Sequence, residues 1–563
     1  MPRRRSTPTP PPAPTAGLQI IPLGGATEIG KNMTAYRVGG QILVVDCGLQ
    51  FPDDSLPGVD LLIPDISFLL EHREQVLGIV LTHAHEDHIG ALPYVLKQLP
   101  VPIWATRLTL GLIRRKLHER DLWADTDWHM VEDGERVRIG GFEAEFVHVN
   151  HSIPDSVSLV LRSPAGTIVH TSDFKFDQTP LDGRVADIAA FARAGAEGVD
   201  ALVIDSTNVD KPGYVASERV VGEALDQVFQ EAPGRVILAT FASNLSRVQQ
   251  VIDIARRHGR RVALAGRSMQ ANAEVARELG YLDVGDDTLI RLADVDGHPD
   301  REVAIITTGA QGEPLSALTR MAMGDHRQVR IREGDTVILS STAIPGNEAL
   351  VWRVINNLFR HGANVIHTPH HPRIHVSGHG NQEELKMVVN LTRPRQIVPV
   401  HGEPRHQELW RRMGEAMGYP VIKLENGDVL EVDGEGARLV ERVTAGAVLV
   451  DGSGVTGMED EVLRDRWHLS QDGIFVVVCS VDRATGRVIA GPDCISRGAI
   501  LKPEEEEVQE EAKESVLRFL EELPEDGGRD WAAIRQDVRR AVNRVLRERT
   551  GRRPMVVPVI MEI

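Results

Sequence analysis

His83-Ala84-His85-Glu86-Asp87-His88 follows directly on the apolar run Ile79-Val80-Leu81, and no other stretch constrains this chain as strongly. The run predicts a buried strand, which places the six residues at the strand's mouth. Alternation along an extended segment sends His83 and His85 to the same side, where both can grip one ion. Once the chain bends, Asp87 and His88 can reach a second ion close by. A pair of divalent cations held in this way activates water near neutral pH and clamps an anionic transition state. The bland alternative is a polar surface loop that happens to be rich in histidine.

Composition narrows what such a motif can serve. With 563 residues the chain has room for about three to four domains, each with its own core. No apolar run approaches the ~20 residues of a membrane span, so no membrane partner is expected. Met1-Pro2-Arg3-Arg4-Arg5 leads into a Ser/Thr/Pro tract with no apolar segment. Residues 1–17 therefore read as a disordered Pro-rich tail and not as an export signal. Cys47, Cys479 and Cys494 have no CxxC spacing. They fit a reducing cytoplasm and leave any metal to histidine and carboxylate. A formal net charge of −18 argues against a protein that coats nucleic acid non-specifically. A nuclease with its basic groups and cations gathered in one cleft remains compatible.

From Leu18 to about Lys211, apolar runs such as Ile42–Asp46, Ile103–Ala105, Thr167–His170 and Ala201–Asp205 alternate with Gly-rich turns and helical stretches. That is an α/β layer arrangement. From about Gly213 the rhythm becomes regular strand–helix alternation, which predicts parallel strands with crossover helices. Gln396–His401 then ends a strand on a histidine again, as in the first domain, so the second domain reads as an insertion into the first. Asp451-Gly452-Ser453-Gly454 marks a boundary. Beyond it a hairpin, two helices and a last strand predict a small α+β domain. The expected segments are 18–212 and 370–450 for the first domain, 213–369 for the insertion, 451–466 for a linker and 467–563 for the C-terminal domain.

Two cations need more ligands than one motif supplies. Asp173, after Ile168-Val169-His170-Thr171-Ser172, could bridge both, since a carboxylate has two oxygens. His151, in the turn Asn150-His151-Ser152-Ile153-Pro154-Asp155, could complete the first site, with His148 as its competitor. His401, in Val400-His401-Gly402-Glu403, could complete the second. Taken singly, each is better explained by a hydrogen-bonded structural role. Asp46 ends a strand and would orient a ligand from behind, or merely cap a turn.

Together these residues resemble the metallo-β-lactamase superfamily, whose ordered signature is an Asp after a strand, HxHxDH, a His, an Asp and a late His. On that resemblance Asp46, His83, His85, Asp87, His88, His151, Asp173 and His401 match position by position. The long interval before His401, with Asp205-Ser206-Thr207-Asn208 and His375-Val376-Ser377-Gly378-His379, resembles the β-CASP nucleases, a branch acting on nucleic acids. Thr240-Phe241-Ala242-Ser243-Asn244, Thr308-Gly309-Ala310-Gln311-Gly312-Glu313-Pro314 and Ile344-Pro345-Gly346-Asn347-Glu348 bring the likeness closest to the bacterial ribonuclease J family. The resemblance implies an α/β fold: an αββα sandwich with an inserted parallel α/β β-CASP domain and a small C-terminal α+β domain for assembly. It also implies two divalent metal ions per subunit, a homodimer or homotetramer, and RNA-decay partners. A His at position 401 resembles the RNA-acting members, where DNA-acting ones tend to carry Val.

Phosphodiester hydrolysis also needs a proton for the leaving oxygen. His379, with an ordinary pKa of about 6.5, suits that traffic, and Asp205 could orient it or share the task. His375, Val376, Ser377, Gly378 and His379 combine a hydroxyl, two imidazoles and a close-approach glycine, which suits a phosphate pocket; alone, the pentapeptide reads rather as an ordinary turn. Within the resemblance it would seat a 5′-monophosphate and favour 5′→3′ exonuclease action on single-stranded RNA, with internal cleavage also in the family's repertoire. Ser243, Asn244 and Arg247 open a helix, either as its cap or as contacts to the RNA backbone. Zinc fits His-rich ligation best, with manganese or magnesium as alternatives. The competing expectations are a DNA nuclease of the same branch, a small-ester or thioester hydrolase, and a metal-binding scaffold without catalysis.

Overall fold

The computed structural model describes residues 17–53, 55–118, 120–285, 287–344, 347–434, 436–452, 454–455, 460–482, 487–500, 504–522 and 531–563. The expected N-terminal tail lies outside them, apart from Gly17. The chain divides into two compact units: residues up to Gln50 with Leu62–Val448, and Phe51–Leu61 with Leu449–Ile563. Among the described residues no helix is long and apolar enough to cross a membrane.

Two sheets packed face to face form the base of the first unit. One has eight strands in the order Gly436–Arg442, Asp428–Asp433, Leu18–Gly24, Met33–Val38, Gln41–Val45, Val76–Val80, Ile103–Thr106, Trp128–Val131. The other has six: Gln396–Val400, Ala201–Asp205, Gly166–His170, Val157–Ser163, Phe142–His148, Arg136–Ile139. Leu43, Val45 and Val80 from the first interleave with Phe146, Leu159, Val203 and Val398 from the second. Helices Ile188–Glu197, Gln382–Thr392 and Pro404–Ala416 cover the outer face of the second sheet through Phe191, Val388 and Trp410. Helix Arg107–His118 packs on the first. Stretches buried on both faces must be apolar throughout, which is why residues 42–45 and 78–80 of these strands read as unbroken runs.

The third sheet is wholly parallel: Leu289–Ile290, Arg261–Ala265, Val303–Thr307, Val236–Ala239, Thr336–Leu339, Asn364–His367. It is an insertion in the strict topological sense. Ala201–Asp205 pairs residue for residue with Gln396–Val400, in parallel, so the chain leaves the second sheet at Asp205 and returns to that same strand's edge.

The second unit holds the sheet Val488–Arg497, Ile474–Val481, Met555–Glu562, with the last strand parallel to the central one. Helices Glu505–Glu521 and Trp531–Thr550 cover it, closing a core of Phe475, Val477, Val516, Leu520, Val538 and Val542. The expected linker 451–466 needs correction, because Asp460–Asp472 is a helix. Ahead of this helix glycine recurs only up to Gly457, and the Leu- and Arg-bearing run beyond it favours helix.

Candidate metal centre

Nearly every residue of the site stands at or just past the carboxyl end of a strand in the two packed sheets, where loops of an α/β layer build sites. Asp46 follows Gln41–Val45, His83 follows Val76–Val80, Asp173 follows Gly166–His170, and His401 follows Gln396–Val400. The backbone of residues 46–49 pins the histidine-rich turn: Asp46 N–H donates to Val80 C=O, Cys47 N–H to His88 C=O and Leu49 N–H to Glu86 C=O. Gly48 is obligatory in this braid, since a Cβ there would overlap the Asp87 carbonyl.

The side chains converge in two groups that share Asp173. In the first, Nε2 of His83 lies 3.2 Å from Nδ1 of His85, which lies 3.0 Å from Nε2 of His151. Asp173 Oδ2 is 3.7 Å from both His83 Nε2 and His151 Nε2. In the second, His88 Nε2 is 3.3 Å from Asp173 Oδ2 and 3.7 Å from Asp87 Oδ2, while His401 Nε2 is 3.2 Å from Asp87 Oδ2. Ligand atoms within each group all lie within 4.8 Å of one another.

Burial, reinforced by neighbouring imidazoles, pushes His83 and His151 well below the ordinary range and His85 down to about 4. These three rings are therefore neutral and offer lone pairs. His88 and His401 go the other way. Burial opposes their charge, but Asp173 with Asp87, joined at His88 by Asp46, outweighs it and raises both, His401 to about 10. The carboxylates thus demand positive charge, which a cation would supply by displacing protons. His401 Nε2 is buried without a hydrogen-bond partner. Its Nδ1 bonds Asp173 Oδ1 at 2.8 Å, so the orphaned Nε2 faces the Asp87 carboxylate; such a nitrogen, beside three neutral imidazoles, fits a pair of divalent cations.

The nitrogens facing away are held. His88 Nδ1 pairs with Asp46 Oδ2 at 2.7 Å, and Asp46 Oδ1 accepts from Thr82 N–H at 2.8 Å. Thr82 Oγ1 lies 3.1 Å from His83 Nδ1, and His151 Nδ1 donates to the Gly378 carbonyl at 2.7 Å. Such outer bonds fix which nitrogen faces a metal. His148, the competitor of His151, turns Nε2 to the Arg184 carbonyl at 3.2 Å and belongs to neither ligand group.

On one flank His379 Nδ1 bonds Asp205 Oδ2 at 2.7 Å, leaving Nε2 3.9 Å from Asp173 Oδ2. Burial again opposes protonation of His379, but Asp205 and Asp173 overcome it and raise its pKa. Ser377 Oγ accepts from Asn208 Nδ2 at 2.9 Å and from His379 N–H at 3.1 Å, so its own proton stays free to donate. His375 and Val376 are half-buried beside it, and burial followed by Arg247 pushes His375 down to about 4.

Of the three residues expected at the helix start as cap or as RNA contacts, Arg247 and Asn244 are engaged within the protein. Arg247 is wholly buried, its guanidinium committed to Glu218, Gln250, Ser340 and the Ile374 carbonyl, and so is not free for RNA. Asn244, also buried, caps the helix Leu245–Arg257 by accepting from Arg247 N–H. Ser243 is half-buried at the same turn. Sequence reasoning missed Asn32, whose amide lies 3.1 Å from His88 Nε2, as well as Thr82 and Asn208. Thr82 abuts the histidine motif and Asn208 closes Asp205-Ser206-Thr207-Asn208, so adjacency was the available signal.

Family profiles match most of the chain. The metallo-beta-lactamase superfamily matches residues 26–225, and the Zn-dependent metallo-hydrolase RNA specificity domain matches 372–424. The Ribonuclease J beta-CASP domain matches 233–358 and the Ribonuclease J C-terminal domain 461–563. Ribonuclease J2 of Bacillus subtilis is 42% identical over 552 residues, covering 98% of this chain and 99% of its own. Ribonuclease J of Thermus thermophilus is 44% identical over 566 residues, covering 98% and 96%. A solved structure of a protein of unknown function from Enterococcus faecalis V583 shares the fold, with a TM-score of 0.52 at 16% identity over 74% of this chain and 100% of its own.

Proposed function

The chain belongs to the ribonuclease J family, and from that premise we propose that it is a two-metal ribonuclease acting 5′→3′ on single-stranded RNA that carries a 5′-monophosphate, with internal cleavage as a second mode. The observation that carries this reading is the convergence of two four-residue ligand groups on one shared carboxylate, Asp173, with the Asp205–His379 pair beside them.

His83, His85, His151 and Asp173 would hold one cation, and Asp87, His88, Asp173 and His401 the other; zinc suits these N/O donors best. Such cations acidify water and neutralise charge on phosphoryl oxygens. The chain's own residues do the rest. Asp46, Thr82 and the Gly378 carbonyl hold the imidazoles in register. Asp205 keeps His379 protonated and oriented, with Nε2 turned to the centre, so His379 delivers a proton to the departing 3′ oxygen. Ser377 O–H and the loop His375–His379 grip the terminal phosphate, which sets the distance from the 5′ end to the cleaved bond. The enzyme works in RNA maturation and decay in the cytoplasm. Its C-terminal unit serves assembly into a homodimer or homotetramer.

RNAs labelled at the 3′ end and bearing 5′-monophosphate, 5′-triphosphate or 5′-hydroxyl, assayed with and without chelator, test the reading. Chelator-sensitive mononucleotide release that favours the monophosphate is expected. Release indifferent to the 5′ group counts against the phosphate pocket, and preference for single-stranded DNA against RNA as substrate.

A further inference from the structure

Lys175, Glu218 and Arg247 are all buried, with side-chain exposures of 1%, 5% and 0%, and they are bonded in a row. Glu218 Oε1 accepts from Lys175 Nζ at 3.2 Å and Oε2 from Arg247 Nη2 at 2.6 Å. Each cation also donates to the backbone of the loop in front of the metal centre. Lys175 Nζ reaches the Ser377 carbonyl at 3.2 Å, and Arg247 Nη1 the Ile374 carbonyl at 3.1 Å. Lys175 lies two residues past Asp173, whereas Glu218 and Arg247 open the first two helices after the chain leaves the second sheet. One carboxylate therefore ties together the segment that carries the shared ligand, the start of the insertion, and both ends of residues 374–377.

A row of buried charges is a poor way to add stability, because desolvation consumes much of the attraction and apolar replacements are often as stable. What it supplies is direction: hydrogen-bonded cations fix carbonyls in place where greasy packing would let them slide. The next residues along show why placement matters. Gly378 C=O holds His151, and His379 holds Asp205. We propose that Lys175, Glu218 and Arg247 are positioning residues that hold the His375–His379 loop at a fixed span from the metal ligands, and so determine the preference for a 5′-monophosphate end. This rests on the reading of that loop as the seat of the terminal phosphate. The three residues touch no substrate; they act through the carbonyls of Ile374 and Ser377.

The test compares kcat/KM on 5′-monophosphate and 5′-hydroxyl forms of one short RNA, for the wild-type full-length enzyme, Glu218→Gln and Arg247→Lys. Glu218→Gln keeps the shape but removes the charge that both cations share. Arg247→Lys keeps the charge but loses the fork that spans Glu218 and Ile374. The ratio of the two kcat/KM values is expected to fall at least tenfold toward one in both variants, chiefly through a higher KM for the monophosphate RNA. A merely structural role would lower both rates together and leave the ratio in place, which overturns the proposal. If the wild-type enzyme itself shows no preference, the phosphate-pocket reading fails and this inference falls with it. A preference present in the wild type and retained in both variants sinks the positioning role alone.

Discussion

Gly378→Ala places one methyl group against His151, one of the proposed metal ligands. A Cβ built on Gly378 would stand 2.7 Å from His151 Cε1 and 2.9 Å from Nδ1, where ordinary contact begins at 3.4 Å. Something must give by about 0.7 Å. The loop has little room to yield: Ser377 C=O is held by Lys175, Ser377 Oγ by Asn208, and Gly380 N–H donates to Phe174 C=O at 2.6 Å. His151 is the mobile partner, yet its ring is hemmed by those of His83, His85 and His379 at 4.7 to 5.0 Å. A metal–nitrogen bond tolerates about 0.2 Å, so a displacement of this size removes His151 from coordination. Losing the outer bond that orients a ligand costs about 10- to 100-fold in metal affinity. A misplacement approaching 1 Å costs on the order of 100-fold in turnover. Gly378 does not have a left-handed backbone, so alanine adds no torsional strain and the effect is steric. Metal content after graded chelator treatment, read by mass spectrometry beside RNA cleavage, measures both numbers. Wild-type retention of two metals together with wild-type turnover would refute the assignment of Gly378 and His151.

His83→Ala should leave fewer than two metals per chain and abolish cleavage; unaltered RNA turnover would sink the two-metal centre. Asp205→Asn and His379→Ala should each lower kcat by about 10²- to 10⁴-fold while both metals stay bound, and loss of metal in either would recast them as ligands. Arg247→Ala should destabilise the chain by on the order of 3 kcal/mol, because it breaks a buried ion pair and leaves Lys175 as the remaining cation on Glu218; denaturant unfolding checks this, and an RNA-binding defect without destabilisation would restore Arg247 as a backbone contact. Burial works against ionised Glu218, but Arg247 and Lys175 hold its pKa down to about 2 against an ordinary 4.5. Its contribution, about 3 kcal/mol, is complete above pH 4.5 and is lost as pH falls toward 2. The stability advantage of wild type over Glu218→Gln should therefore shrink between those pH values, and an advantage that is flat with pH would contradict the pairing.

How far the sequence could be read depended on whether a residue's role is local. Val76–Val80 with His83 to His88 is local: a strand buried on both faces must be apolar, and ligands that share an ion must alternate or follow a bend. The insertion was legible because Gln396–His401 repeats the strand-then-histidine pattern of the first domain. Arg247 was opaque. An arginine in the first turn of a helix looks the same whether it faces solvent or core, and its partners Ser340 and Ile374 come from far along the chain. Glu218 was hidden for the same reason, since nothing near it marks a carboxylate that will be buried between two cations. The helix Asp460–Asp472 was lost to a glycine-rich signal just upstream.

Backbone conformation at the metal centre argues that the ligand geometry is imposed by the fold. Asp46, Ser172 and His401 have φ of 64°, 50° and 53°, a left-handed region that costs residues with a Cβ about 1 kcal/mol or more each. All three lie one or two residues beyond a strand in one of the two packed sheets, where the chain must reverse. The bonds around them leave no relaxed alternative: Asp46 N–H is held by Val80 C=O, His401 N–H by Gly25 C=O at 2.6 Å, and Ser172 Oγ sits 2.7 Å from Thr82 Oγ1. Thr82 in turn contacts Asp46 and His83. A turn strained in this way persists only because the sheets on either side over-determine it. The same stiffness would hold the carboxylates and imidazoles of both groups together before a cation arrives, with His401 Nε2 kept buried and without a hydrogen-bond partner.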